Sequence, residues 1–270
     1  YADIVRPMSC FFCHAALVAL WVIASASPAF AREVSTNLSF ASGVIVCTVT
    51  SPKGDIPGIV LEALPIAMNA ALELAGTPPA AARLDIRLLQ PPPFYKRAKA
   101  LFRAEAFAVQ EGDEIRLHPG DDPLKLAFRL GHELAHWLVA QRHPERPPLW
   151  LDEGLAQLSG AAAAETMART RTQTADRPLP PELENHLCAL AELTALESYP
   201  ADAGSSGAFY WQAEALVGAI RQRLGPADFA AYLGLLSVSG APFWQLPLRE
   251  RWYFNDADFE RLAKKIQPSP

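Results

Sequence analysis

The chain has 270 residues, 50% of them hydrophobic and 20% charged, with a formal net charge of −5 at neutral pH. That composition builds a globular core in one or two domains. The longest basic cluster is Lys96-Arg97 with Lys99 nearby, which argues against nucleic acid as a partner.

Residues 1–31 read as a signal peptide. Arg6 supplies a positive charge, Ala15 to Ala24 forms an apolar stretch, and Ala29-Phe30-Ala31 is a small-x-small cleavage signal. Met8 is an alternative start to Tyr1. Cleavage after Ala31 leaves a mature chain with no stable membrane span and predicts export, to a periplasmic or secreted location. Cys10 and Cys13 leave with that segment, so Cys47 and Cys188 remain, either as a bridge in an oxidising compartment or as two free thiols.

Along the mature chain, Val44 to Val49 is a short β-branched run that favours a strand. Ile59 to Ala75 reads as a helix whose polar residues, Glu62, Asn69 and Glu73, form a narrow stripe; Gly76-Thr77-Pro78-Pro79 ends it. Leu84, Ile86 and Leu88 alternate with Asp85 and Arg87, a half-buried strand before Pro91-Pro92-Pro93. A hairpin follows, with arms near Phe102 to Val109 and Glu114 to His118 joined around Gly112-Asp113. The first arm is a candidate edge strand for pairing with an extended peptide. Asp122 and Pro123 supply an N-cap and a first-turn proline for a helix running to about Gln141. A helix from about Glu153 to Glu165 is followed by Thr166 to Pro181, read as a surface loop or lid. Further helices are predicted over Glu182 to Leu196, Ala208 to Leu224, Ala227 to Leu236 and Asp256 to Ile266, with a break at Gly225-Pro226. The fold class is α+β: a small mixed sheet layer in 32–122, then a mostly helical layer in 123–270, with the site between them.

The chemistry concentrates in His132-Glu133-Leu134-Ala135-His136. Residues i and i+4 share a helix face, so both imidazoles can reach one ion at about 2.0–2.1 Å, with Glu133 beside the position of a metal-activated water. A third ligand comes from Trp150-Leu151-Asp152-Glu153-Gly154-Leu155-Ala156, where Glu153 would complete a His₂Glu set and Asp152 is its rival. If Asp152 caps the following helix, Glu153 falls in its first turn and one of the two carboxylates reaches the ion. His143 does not fit a His₃ site, because HExxHxxGxxH requires glycine at 139 and histidine at 142, where this chain has Val139 and Arg142.

These residues resemble the gluzincin zinc metallopeptidases, the peptidase-MA-like group related to aminopeptidase N and thermolysin, which carry HELAH on one helix and WLxEG(F/L)A on the next. The resemblance covers about Phe107 to Gly225 and implies a zincin-type helical layer binding one Zn²⁺ per chain. It assigns the ligand roles to His132, His136 and Glu153, and general base and acid to Glu133. Sixteen residues separate His136 from Glu153, slightly fewer than in aminopeptidases, which implies a shorter interhelical loop. A second match, Tyr210-Trp211-Gln212-Ala213-Glu214-Ala215-Leu216 leading to Leu224-Gly225, implies that Tyr210 opens a helix and stabilises the oxyanion. No GxMEN-like exopeptidase strand motif is present. The implied function is an exported zinc-dependent metallopeptidase that hydrolyses peptide bonds through a zinc-activated water, with a peptide or protein as substrate. Two alternatives stand beside it: a catalytically inactive zinc-binding scaffold module, and a zinc hydrolase of a non-peptide amide or ester.

Overall fold

The computed structural model describes residues 23–24, 32–40, 43–51, 55–76, 82–89, 108–120, 122–143, 147–171, 179–239 and 243–267. The expected leader lies outside the described residues except for 23–24; so do Pro91-Pro92-Pro93, 102–107 of the first hairpin arm, and 172–178 of the expected loop.

The strands are β1 (Ile23–Ala24), β2 (Arg32–Phe40), β3 (Gly43–Ser51), β4 (Ala82–Leu88), β5 (Ala108–Glu111) and β6 (Glu114–Leu117). They form one mixed sheet in the order β1-β2-β3-β4-β6-β5. β3–β4 and β4–β6 pair in parallel, and the other neighbours are antiparallel. The parallel β3–β4 pair needs a crossover, which helix α1 (Gly58–Ala75) supplies. Side chains alternate along β4, with Ala82, Leu84, Ile86 and Leu88 buried and Arg83, Asp85 and Arg87 exposed. Together with Ile45, Cys47, Val49, Ile115 and Leu117 they give the sheet one apolar face.

The helical layer contains α2 (Pro123–Arg142), α3 (Leu149–Thr170), a 3₁₀ turn (Pro181–His186), α4 (Leu190–Ala195), α5 (Ala203–Leu224), α6 (Pro226–Ser239), α7 (Gln245–Trp252) and α8 (Asp256–Lys265). The α+β reading of a small mixed sheet with a mostly helical remainder describes this arrangement. Locally the structure departs from expectation. α3 begins four residues earlier and ends five later than predicted, so 166–170 are helix. Glu182 to Leu196 is a 3₁₀ turn and a one-and-a-half-turn helix, because Leu187 adopts an extended conformation between them. Strands β1 and β2 and helix α7 are additional to the sequence reading.

α2 and α3 cross with their backbones in contact. A Cβ placed on Gly131 would lie 2.8 Å from the Ser159 carbonyl oxygen and 3.0 Å from the Ala163 Cβ, and one on Gly160 would lie 2.7 Å from the Phe128 carbonyl oxygen. Ser159 Oγ donates to the Gly131 carbonyl at 2.7 Å across the same crossing. On the other side of α3, a Cβ on Gly154 would sit 2.5 Å from the Ala213 carbonyl oxygen of α5. The hairpin is tied to α2 at its tip, where Asp113 Oδ1 accepts from Trp137 Nε1 at 3.0 Å and from Gln141 Nε2 at 2.6 Å. Arg142 Nη1 donates to the Ala75 carbonyl at 2.6 Å and so covers the C-terminal end of α1. Gln212, fully buried in α5, donates to the Cys188 and Ile266 carbonyls at 2.8 and 3.0 Å and fastens the chain's last described turn to the helical layer. Cys47 and Cys188 are free thiols.

The crossing sets opposite signs for one substitution at two places. In an open helix glycine to alanine gains up to about 1 kcal/mol from backbone propensity, whereas overpacking a close contact costs about 1–3 kcal/mol. Gly131→Ala is therefore expected to lower the urea midpoint. Gly234→Ala, in α6 with open space around the new methyl, is expected to raise it.

Candidate metal and catalytic site

α2 starts where the sequence places it: the Asp122 carboxylate accepts from the backbone N–H groups of Leu124 (3.0 Å) and Lys125 (3.1 Å), and Pro123 occupies the first turn. Leu126, Leu130, Leu134, Trp137 and Leu138 bury one face of the helix. His132 and His136 leave from another, and α3 brings Glu153 opposite them across the glycine crossing.

The two Nε2 atoms of His132 and His136 lie 3.1 Å apart. Glu153 Oε2 is 3.5 Å from His132 Nε2, and its Oε1 is 3.5 Å from His136 Nε2. These three residues are a group whose donor atoms all lie within 4.8 Å of one another. Ligands at about 2.0–2.1 Å from a tetrahedral zinc stand about 3.3–3.4 Å apart, close to the 3.1 Å between the two Nε2 atoms, and Glu153 turns one oxygen toward each imidazole at 3.5 Å. The donor set, two imidazoles and a carboxylate, is also one that zinc takes with a fourth position left open.

Asp152 stands behind His136 with its Oδ1 3.1 Å from Nδ1. α3 begins at Leu149 with Pro148 in the cap position, so Asp152 is a first-turn residue and does not cap the helix, and Glu153 is one position further in. Successive helical residues point about 100° apart, which lets Glu153 face the Nε2 atoms while Asp152 reaches the other side of the same imidazole. An imidazole N–H bonded to a carboxylate is oriented with its other nitrogen toward the metal. His143 lines the cavity but is not in the three-residue group.

Tyr199 was not singled out by the sequence. It lies between α4 and α5, and its hydroxyl donates a short hydrogen bond to Glu153 Oε1. Burial first, then the charge of Glu153 and that hydrogen bond, hold its phenol protonated far above the usual range. No periodicity marks it; the nearest sequence signal is its place before Pro200 in an irregular segment. Tyr210 is in the third turn of α5, not at its start, because Asp202 caps that helix by accepting from Ser205 N at 2.8 Å. Its ring packs beside Tyr199, with centroids 6.2 Å apart, and lines the same cavity as the histidines.

That cavity is about 450 Å³. It is lined by Ala108, Val109 and Gln110 of β5, by His132, Glu133 and His136 of α2, and by Tyr199 and Tyr210. Glu133 is 8% exposed; burial, with added repulsion from Glu153 and Asp152, raises its carboxyl to about 7 against the opposing pull of His136 and a hydrogen bond from the Gln110 backbone N–H. For His136 burial acts downward, but Asp152, through charge and hydrogen bond, then Glu153 and Glu133, carries it up to about 9. Three carboxylates around two imidazoles make a site that attracts positive charge, whether a proton or a dication.

No protein-family model and no curated protein sequence matches the chain. Solved structures with a similar fold do. A two-domain M1 zinc metallopeptidase variant bound to L-arginine superposes with a TM-score of 0.52 at 13% identity, covering 89% of this chain and 52% of its own. The M1 zinc metallopeptidase from Deinococcus radiodurans gives 0.50 at 14% identity with the same coverage, and a variant of it bound to a Tyr-Ser-Ala substrate gives 0.51 at 12%, covering 89% and 53%. The chain thus spans about half the length of these structures. At such identities the likeness is one of fold: a distant relationship to the M1 zinc metallopeptidases.

Partners that orient metal ligands typically contribute 10–100-fold in affinity. Tyr199→Phe and Asp152→Asn are each expected to weaken zinc binding by about 10-fold or more in competition with a chromophoric chelator, and Glu153→Ala by more than either. An unchanged affinity for Tyr199→Phe would show that its hydrogen bond does not orient the carboxylate.

Proposed function

We propose that this chain is a zinc-dependent hydrolase of peptide bonds, with His132, His136 and Glu153 holding the ion, Glu133 as general base and acid, and Tyr210 as oxyanion donor. One observation carries the reading: two imidazoles and a carboxylate whose donor atoms lie within 4.8 Å of one another line the same cavity as a second buried carboxylate and as the strand that is outermost among the described residues. The M1-like fold supports the same reaction class, and the D. radiodurans structure with a bound Tyr-Ser-Ala substrate supports a peptide as substrate.

Zinc, when bound, supplies an acidified water and a Lewis acid for the carbonyl. The chain's residues do the rest. Glu133, held by the Gln110 backbone N–H, takes the proton of the attacking water and delivers it to the leaving amine, a role suited to a carboxyl raised toward neutrality. Tyr210, which lines the same cavity, donates a hydrogen bond from its hydroxyl to the oxyanion. Asp152 fixes the ring of His136, and Tyr199 holds Glu153. Among the described residues β5 is the last strand in the sheet order, and an extended peptide would pair with its outer backbone groups independently of side-chain identity. We place the activity outside the cytoplasm, a reading supported by the leader-like pattern in 1–31.

Purified chain is expected to carry about one zinc, counted by metal analysis, and to cleave members of a broad peptide library in a chelator-sensitive manner. Glu133→Gln should retain the zinc and lose about 10²–10⁴-fold or more in rate. Wild-type-like turnover by that variant would overturn the assignment. Tyr210→Phe should bind zinc normally and slow turnover by about 10²-fold, whereas an unchanged rate removes Tyr210 from the mechanism.

A further inference from the structure

The cavity over the metal ligands does not end there. A second one, of about 1150 Å³, adjoins it, and the two share Pro147, Asp152 and Tyr199. Among the described residues five large hydrophobic side chains are well exposed: Val109 (47%), Tyr199 (50%), Phe243 (57%), Leu246 (46%) and Tyr253 (83%). Val109 lines the first cavity, Phe243 and Leu246 line the second, and Tyr199 lines both. Exposed apolar residues scattered singly need no explanation; four of five along one continuous depression form a surface that loses free energy by staying in water.

The far wall is also firmly built. Between Phe243 and Leu246, Trp244 is buried, with its ring 5.1 Å from that of Trp150 in α3 and 5.9 Å from that of Phe259 in α8. The start of α7 is thereby pinned to the helix that carries Glu153. The charged residues that line it are of mixed sign, Asp152, Glu197 and Arg249; Asp152 lies 3.1 Å from His136 Nδ1 and Arg249 is paired with Asp256 at 2.8 Å.

We propose that the second cavity is a substrate subsite, continuous with the catalytic one, that takes a bulky apolar side chain of an extended polypeptide. Tyr199 is the partition between the bond to be cleaved and that side chain. The substrate class is then a polypeptide carrying an aromatic or large aliphatic residue at a fixed, short distance from the scissile bond, with β5 holding the backbone on the other side of the metal ligands. The inference rests on the peptidase reading and adds selectivity to it. Apolar area removed from water on the Phe243 side supplies binding energy that the sequence-tolerant sheet edge lacks.

The test uses zinc-loaded Glu133→Gln protein and fluorescently labelled decapeptides of Ser, Gly and Ala in which a single Phe is moved along the chain, with binding followed by anisotropy. One Phe register is expected to bind about 10-fold more tightly than the others. The preference should vanish in a Phe243→Ser/Leu246→Ser double variant whose thermal unfolding is unchanged, and persist in Tyr253→Asn, which removes an exposed aromatic outside both cavities. Equal binding of all registers, or a preference that survives in the double variant, overturns the subsite. Cleavage by the unsubstituted chain is read separately: a register preference without cleavage supports the subsite and removes the peptidase reading, while cleavage with no preference removes the subsite alone.

Discussion

The site depends on how closely three helices approach one another. Gly131 precedes the first histidine and Gly154 follows the glutamate, and both sit where a methyl group would collide with the backbone of a neighbouring helix. Side chains at those positions would hold α2 from α3, and α3 from α5, at the ordinary interaxial distance of 8–10 Å. With the backbones touching, a short carboxylate arm on α3 reaches two imidazoles on α2. Ser159 makes the approach polar as well as steric, by satisfying a second lone pair on the Gly131 carbonyl. The glycines beside His132 and Glu153 are thus part of the reason the imidazole nitrogens and the carboxylate oxygens stand 3.1 to 3.5 Å apart.

That closeness has an electrostatic cost. Glu133, Asp152 and Glu153 surround two imidazoles in a region where Glu133 and Glu153 are almost fully buried. Uncompensated, such a group shifts its protonation toward neutrality, and the raised values of Glu133 and His136 are that response. A dication offsets the same repulsion directly. Close polar contacts distribute the remainder: Gln110 serves Glu133, Asp152 serves His136, and Tyr199 serves Glu153. Each partner comes from a different segment, so the electrostatics of the site report on the assembly of the whole domain.

What was legible in the sequence divides along the same line. Local signals read well: the Asp122-Pro123 start of α2, the apolar stripe of α1, the alternation in β4 and the stop at Gly225 depend on neighbours within a turn or a strand. The HExxH pair is of this kind, since i and i+4 share a face in any helix. Glu153 needed the resemblance to choose it over Asp152, and only the true start of α3 at Leu149 explains why the two carboxylates reach different atoms of the site. Tyr199 was invisible because its role is defined by a contact 46 residues away and by no pattern around it. Gly131, Gly154 and Gly160 sit within helices, where glycine lowers propensity and carries no other local meaning. β2 escaped because its alternation of Val34, Thr36, Leu38 and Phe40 follows directly on the segment set aside as a leader.

The hairpin tip has a mechanical consequence. Asp113 accepts from both Trp137 and Gln141, and Gln110 from the same hairpin donates to Glu133. The hairpin and the histidine helix, with the Glu133 carboxylate, are therefore latched at three points along about two and a half turns of α2. Widening the cleft on that side would break all three bonds together, whereas Tyr199, from the segment between α4 and α5, meets Glu153 through its hydroxyl. A displacement of Tyr199 therefore pulls directly on the carboxylate that faces both imidazoles.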